Sequence, residues 1–198
     1  MASNDYQFVT HWRVQSSVQE ITEVLGGGTD LTRWWPSVYL EVRQLEKGDE
    51  NGVGSVIDLH TKGWLPYHLR WQFRVTETHH PYGFSLEAWG DFVGKGVWTF
   101  AQDGEWVNIS YDWTIRADKP LLRDLSWIMK PLFSMNHRWA MAMGERSLEL
   151  ELQRRHAKTP EEAALVPAPP PPTSDEMFVF GGLGIGAMLV WLLKPRKN

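Results

Sequence analysis

The sequence predicts an α+β fold in which a curved antiparallel β-sheet wraps around a long C-terminal helix, with one transmembrane helix behind it. Three observations predict this. Seven apolar segments of strand length come first, several alternating in character and separated by short Gly-, Asp- or Asn-containing turns. A single stretch over 118–155 carries apolar residues every three to four positions instead. Beyond a Pro-rich passage, a last run over 177–193 holds no charged residue.

Residues 6–14 read as the first strand, through Phe8, Val9, Trp12 and Val14. Ser16 or Ser17 can cap a short helix whose Val18, Ile21, Val24 and Leu25 share a side. The glycines 26–28 end it; with no Lys-Ser/Thr behind them they are a turn rather than a phosphate loop. Asp30 caps a second short helix over 31–35, which Pro36 stops. Strands over 38–45 and 53–60 flank a Gly-Asp-Glu-Asn-Gly turn. In 67–77, Tyr67, Leu69, Trp71, Phe73 and Val75 share one face, and His68, Arg70, Gln72 and Arg74 the other. Strands over 84–89 and 94–101 follow. Asp103-Gly104 then makes a hairpin into 106–115, where Val107, Ile109, Tyr111, Trp113 and Ile115 align.

On the long helix, Leu121, Leu125, Ile128, Leu132, Met135, Trp139, Met143 and Leu150 form an apolar stripe. Pro131 is expected to kink or split that helix, and Gly144 to weaken it. A helix across the concave face of the sheet buries the stripe against the Trp-rich strand faces.

Composition excludes several functions. The net charge of −4 gives no footprint for a nucleic-acid partner. The absence of Cys removes disulfides, thiolate catalysis and Cys-based metal sites, and fits a reducing compartment. The 12 Trp residues have two readings, a thick core or the lining of a cavity for an apolar ligand.

The chain changes character after Arg155. Residues 157–176 are rich in Pro, Ala and acidic residues, and Pro169 to Pro172 favour extended polyproline II, so the segment reads as a semi-rigid linker. The run that opens at Met177 and closes at Leu193 reaches roughly 26 Å as a helix, against about 30 Å of bilayer hydrocarbon. Trp191 sits near its end, where an interfacial aromatic belongs, and residues 194–198 form a basic tail. No apolar signal-peptide core lies within residues 1–24, so the expectation is a cytoplasmic domain with a C-terminal membrane anchor. Gly182 and Gly186 make a GxxxG pattern, a face for weak homodimer contact between anchors.

Three local patterns carry a family resemblance over about residues 6–155. They are Leu31-Thr32-Arg33-Trp34-Trp35-Pro36-Ser37-Val38, Gly96-Val97-Trp98-Thr99-Phe100 and Asn136-His137-Arg138-Trp139-Ala140-Met141. In order and spacing they resemble the START/Bet v 1-like (SRPBCC) superfamily, and within it the polyketide cyclase/dehydrase-type branch. The resemblance implies a helix-grip fold over residues 1–156, with an apolar ligand held between sheet and long helix. The family ranges from lipid and sterol carriers to aromatase/cyclases, and fold does not choose among them.

The expected cavity residues are Trp35, Trp71, Phe73, Trp98, Tyr111, Trp113, Leu132, Asn136, Trp139 and Met143. Asn136 places an amide on an apolar stripe; it serves either a ligand's polar head or the backbone freed by Pro131. Arg70 is a weak catalytic candidate, able to hold a carboxylate or enolate only if its strand face looks inward. His79-His80 lacks a third ligand at metal-binding spacing and reads as a solvated turn. His60 and His68 are placed to face each other across a hairpin, and Glu145 to pair with His137 or Arg138 on the surface. No metal or cofactor is expected. Three functions stay open: a membrane-tethered binding protein for a lipid, isoprenoid or aromatic molecule, a cyclase/dehydrase-type enzyme, and a membrane-anchored interaction scaffold.

Overall fold

The computed structural model describes residues 5–116 and 126–174. Alternation of apolar and polar residues delivers seven strands: β1 (Asp5–Gln15), β2 (Tyr39–Lys47), β3 (Ser55–Lys62), β4 (His68–Thr78), β5 (Gly83–Gly90), β6 (Val93–Asp103) and β7 (Trp106–Arg116). They form one antiparallel sheet in the order β1-β7-β6-β5-β4-β3-β2. Each hairpin adds a neighbour, and β1 closes the series by pairing along β7, Asp5 opposite Arg116 and Gln15 opposite Trp106. The inward face of β7 is the one its alternation predicts, with Val107, Ile109, Tyr111 and Trp113 all buried.

Between β1 and β2 lie α1 (Val18–Gly26), a 3-10 turn (Gly28–Asp30) and α2 (Leu31–Trp34). Ser17 caps α1: its Oγ accepts from the Glu20 amide at 3.2 Å while the Glu20 carboxylate accepts from the Ser17 amide. The long helix, α3 (Ser126–His156), contains Pro131 without being split, contrary to one of the two expectations for that residue.

The helix turns a different face to the sheet from the one its apolar stripe suggests. Its buried residues are Asn136, Met141, Gly144, Ser147, Leu148, Glu151 and Leu152. Met135 is exposed, and Leu132, Trp139, Met143 and Leu150 lie half-buried on the flanks. Leu121, Leu125 and the side chain of Ile128 lie outside the described residues. Gly144 and Ser147 sit among the buried residues because bulky side chains come from the other side. The Trp35 ring lies against Gly144, where a Cβ would stand 2.6 Å from two ring atoms. Gly144 is therefore the seat of an indole, not merely a weak point in the helix. Glu151, a carboxylate with a 4% exposed side chain, is held by both guanidinium nitrogens of Arg33 at 2.7 and 2.9 Å and by Arg155 at 3.0 Å. Burial alone would raise its pKa; the two arginines outweigh that and hold it below the ordinary carboxylate value.

The segment expected as a detached spacer is tied back onto the domain. A short helix, α4 (Pro160–Leu165), opens it under a Thr159 cap. The chain then runs extended, with the Arg154 guanidinium donating to the Pro167 carbonyl. At its far end Thr173 Oγ1 donates to the Gly63 carbonyl at 3.0 Å, and Lys62 Nζ donates to the Thr173 carbonyl at 2.7 Å. Among the described residues no helix is long and apolar enough to cross a membrane. Residues 177–193, with Gly182 and Gly186, lie outside the described residues.

Candidate functional site: a cavity between sheet and helix

One end of the sheet gathers the start of β1, the ends of β3 and β7, and the β5–β6 turn. At this end the inward positions of β6 carry no side chain, because Gly94 and Gly96 precede Trp98 and Phe100 on the same face. A Cβ at Gly96 would stand 2.9 Å from the Tyr111 ring and hydroxyl, so glycine lets Tyr111 lie flat across the sheet. The opposite end is filled by Phe100, Ile109, Val107, Ile21 and Leu148. The result is a cavity of about 200 Å³ at the open end, roofed by the first half of α3. This is small beside the roughly 300–1,000 Å³ of drug-sized pockets.

Aromatic rings make most of the wall. Tyr111 stacks on Trp98 at 4.0 Å and 13°, and lies 5.7 Å from Trp113. Trp71 packs 5.2 Å from Phe92, with its indole N–H donating to Thr61 Oγ1 at 2.9 Å. Trp35, Tyr39, Tyr67 and Phe133 complete the apolar surround. Burial pushes the hydroxyls of Tyr39, Tyr67 and Tyr111 above their ordinary pKa, so all three are neutral donors at neutral pH.

Two polar residues of α3 face this wall. Asn136 Oδ1 accepts from the Leu65 amide at 3.1 Å, and its Nδ2 donates to the Tyr67 hydroxyl at 3.2 Å. It thereby clamps the β3–β4 loop rather than the backbone around Pro131. Gly63 gives it room, since a Cβ there would overlap the amide. His137 stacks on Phe8 at 4.3 Å, and its Nε2 is buried with no hydrogen-bond partner among the described residues. Burial lowers its pKa from 6.5 to about 4. The expected surface pairing of Glu145 is corrected too. Its Oε1 accepts from the Arg13 backbone amide at 3.2 Å, tying α3 to β1.

Of the expected cavity residues, Trp35, Trp71, Tyr111, Trp113 and Asn136 come together on the wall. Phe73 and Trp98 are buried in the core behind it, and Leu132, Trp139 and Met143 flank the helix outside the lining. Arg70 stands on the outer face, 67% exposed, paired with Glu41 at 3.5 Å, so it has no access to the cavity interior. His60 and His68 do meet across the strands, Nε2 to Nδ1 at 2.7 Å. Burial, then the charges of Arg70 and His68, lower the His60 pKa. His79 lies 3.6 Å from Glu77 on an exposed turn. Among the described residues no three His, Cys, Asp or Glu side chains gather as a metal site.

Sequence reasoning missed His137, Tyr39, Tyr67 and Phe133. A signal for the α3 pair existed. Phe133, His137, Ala140, Met141 and Gly144 recur at helical spacing on the face that small residues leave open.

The wall supplies aromatic faces and a neutral imidazole that can bind and orient a guest. A general base works best with a pKa near the working pH, and an imidazole held near 4 falls far short of that. Being neutral, His137 offers one hydrogen bond to a guest in either tautomer. Its burial also has a pH signature. A folded pKa below the unfolded one means the unfolded chain binds the proton first, so stability falls as pH drops from about 6.5 toward 4. His137→Leu is expected to remove roughly 2 kcal/mol of the loss between about pH 7 and about pH 5, read by urea unfolding at both. An unchanged pH slope would mean that the imidazole is solvated.

No protein-family model matches the sequence, and no curated protein matches it. Solved structures do match. The Zhui aromatase/cyclase of a Streptomyces species is 15% identical, covering 78% of this chain and 97% of its own, at a TM-score of 0.62. A Thermus thermophilus protein is 12% identical, covering 77% and 100%, at 0.61. A Thalictrum flavum norcoclaurine synthase point mutant, in complex with a transition state analogue, is 16% identical, covering 77% and 98%, at 0.52. At such identities the likeness concerns architecture alone: seven antiparallel strands curved around one long helix, which is the helix-grip fold.

Proposed function

We propose that this chain is a membrane-tethered binding protein that holds a small, flat, largely apolar molecule in the cavity between the sheet and α3. The observation that carries the reading is the cavity wall itself. It combines stacked Trp and Tyr rings with an imidazole whose Nε2 lacks a partner among the described residues. Aromatic faces bind planar guests by area and quadrupole, and a few polar groups fix their orientation. A volume of about 200 Å³ favours an aromatic or short isoprenoid guest over a complete two-chain lipid. The apolar run 177–193 supports the tether.

The binding reading is favoured over a cyclase/dehydrase-type enzyme by one comparison. The neutral hydroxyls of Tyr67 and Tyr111 are suited to polarise a ketone, as an enolate-forming reaction needs, but His137 is too weak a base to take the proton, and the other basic groups on the wall are engaged, Asp91 by the Arg70 amide and His68 by His60. An interaction scaffold would need a filled interior, which the cavity argues against.

The test is titration of naphthol into the full chain in detergent, followed calorimetrically. Ala140 lines the cavity from α3, and Ala140→Phe fills it. Wild type is expected to bind, and the variant to bind about tenfold or more weakly, a difference of roughly 1.4 kcal/mol, with its far-ultraviolet dichroism unchanged. Equal binding by both would place the guest outside the cavity.

A further inference from the structure

We infer that the open end of the cavity faces the bilayer, so that guests exchange directly with the lipid surface; this rests on the tether proposed above. The Pro-rich strap decides which end is presented. The chain leaves α3 at the closed end of the sheet, where His156 meets Glu20 of α1. Had the apolar run begun there, the cavity would point away from the membrane. Instead the strap brings the chain back. Polyproline II advances about 3.1 Å per residue, so Pro167 to Thr173 covers roughly 19 Å. From Asn136 to Arg154, α3 rises roughly 27 Å. The long Arg154 side chain, which holds the Pro167 carbonyl, takes up the difference.

The strap ends on the cavity rim. Thr173 exchanges hydrogen bonds with Gly63 and Lys62, and both of these line the cavity beside Asn136. Only Ser174, Asp175 and Glu176 separate that clasp from Met177. At most about 14 Å of chain lies between the rim and the first residue of the apolar run. Stiffness matters as much as length. A flexible linker would let the domain tumble, whereas a clasped polyproline strap fixes which end is presented. A guest that partitions into lipid then meets the cavity opening without crossing water.

The chain has no Cys, so single labelling sites can be introduced cleanly. A fluorophore is placed at His68→Cys on the rim, or at Asn51→Cys in the β2–β3 turn at the closed end; both positions are exposed. Each full chain is reconstituted into phosphatidylcholine vesicles containing headgroup-spin-labelled lipid. The rim label is expected to be quenched several-fold more than the closed-end label. A long Gly/Ser insertion after Ser174 should abolish the difference while leaving co-flotation with vesicles intact. Equal quenching in a chain that floats, or stronger quenching at Asn51→Cys, would overturn the inference and leave the tether standing. Failure to float would overturn the tether, and the inference with it.

Discussion

Gly144→Val is expected to destabilise the fold by roughly 3 kcal/mol, although the same change in an exposed helix costs little. Glycine is the poorest ordinary helix former, and Gly→Ala in a free helix gains up to about 1 kcal/mol. Here the sign reverses. A Cβ would stand 2.6 Å from Trp35 ring atoms, well inside the contact distance of about 3.5–4.0 Å between carbons. Other rings crowd it away from the cavity. Its centroid lies 5.7 Å from that of Trp12, 5.4 Å from Trp34 and 5.1 Å from Tyr39. Even Gly144→Ala should therefore lower the urea midpoint. In a Trp35→Leu background the clash is gone, and Gly144→Ala should regain its ordinary stabilising sign. If Gly144→Ala stabilised the otherwise unchanged chain, the indole would not be seated on α3.

Arg33→Met is expected to cost roughly 2–3 kcal/mol at neutral pH. Glu151 is nearly inaccessible while Arg33 is half-exposed, so the loss falls on the carboxylate left behind rather than on the arginine. Arg155 keeps one bond to it at 3.0 Å, which places the cost below the full value for an orphaned buried charge. The pH dependence follows. In the unchanged chain the folded pKa of Glu151 is lowered, so its contribution is present above the ordinary carboxylate range and lost as pH falls through the folded value. With Arg33 gone, burial is less opposed and the pKa moves upward, so protonation then relieves the folded state. The deficit should narrow as pH falls below about 4.5. A deficit constant with pH would mean that Arg33 acts by packing alone. Neither residue lines the cavity, so naphthol binding by the folded variant should be unaffected.

These residues also mark how far the sequence could be read. The strands were legible because period two is a local property: Tyr111 and Trp113 point inward, and Arg70 outward, as alternation requires. The helix face was not. Hydrophobicity points to Met135, Trp139, Met143 and Leu150, but the contact line runs through Asn136, Met141, Gly144, Ser147, Leu148, Leu152 and a charged Glu151. What makes that line an interior is Trp35 and Arg33, more than 100 positions earlier in the chain. Asn136 stands out in the sequence as a polar residue among apolar ones, but its partners, Leu65 and Tyr67, come from a loop that the sequence does not join to the helix. The strap is the same case. Its prolines announce an extended chain, whereas the clasp between Thr173 and Gly63 spans 110 positions and exists only in three dimensions.

A small apolar guest in the cavity would survive gentle extraction. The most direct test is native mass spectrometry of the full chain, extracted in mild detergent from its own cells, beside Ala140→Phe handled identically. A retained apolar adduct of small mass is expected on the unchanged chain and absent from the variant. An adduct-free chain that also fails to take up naphthol, or an adduct equally abundant on the variant, would contradict the binding reading.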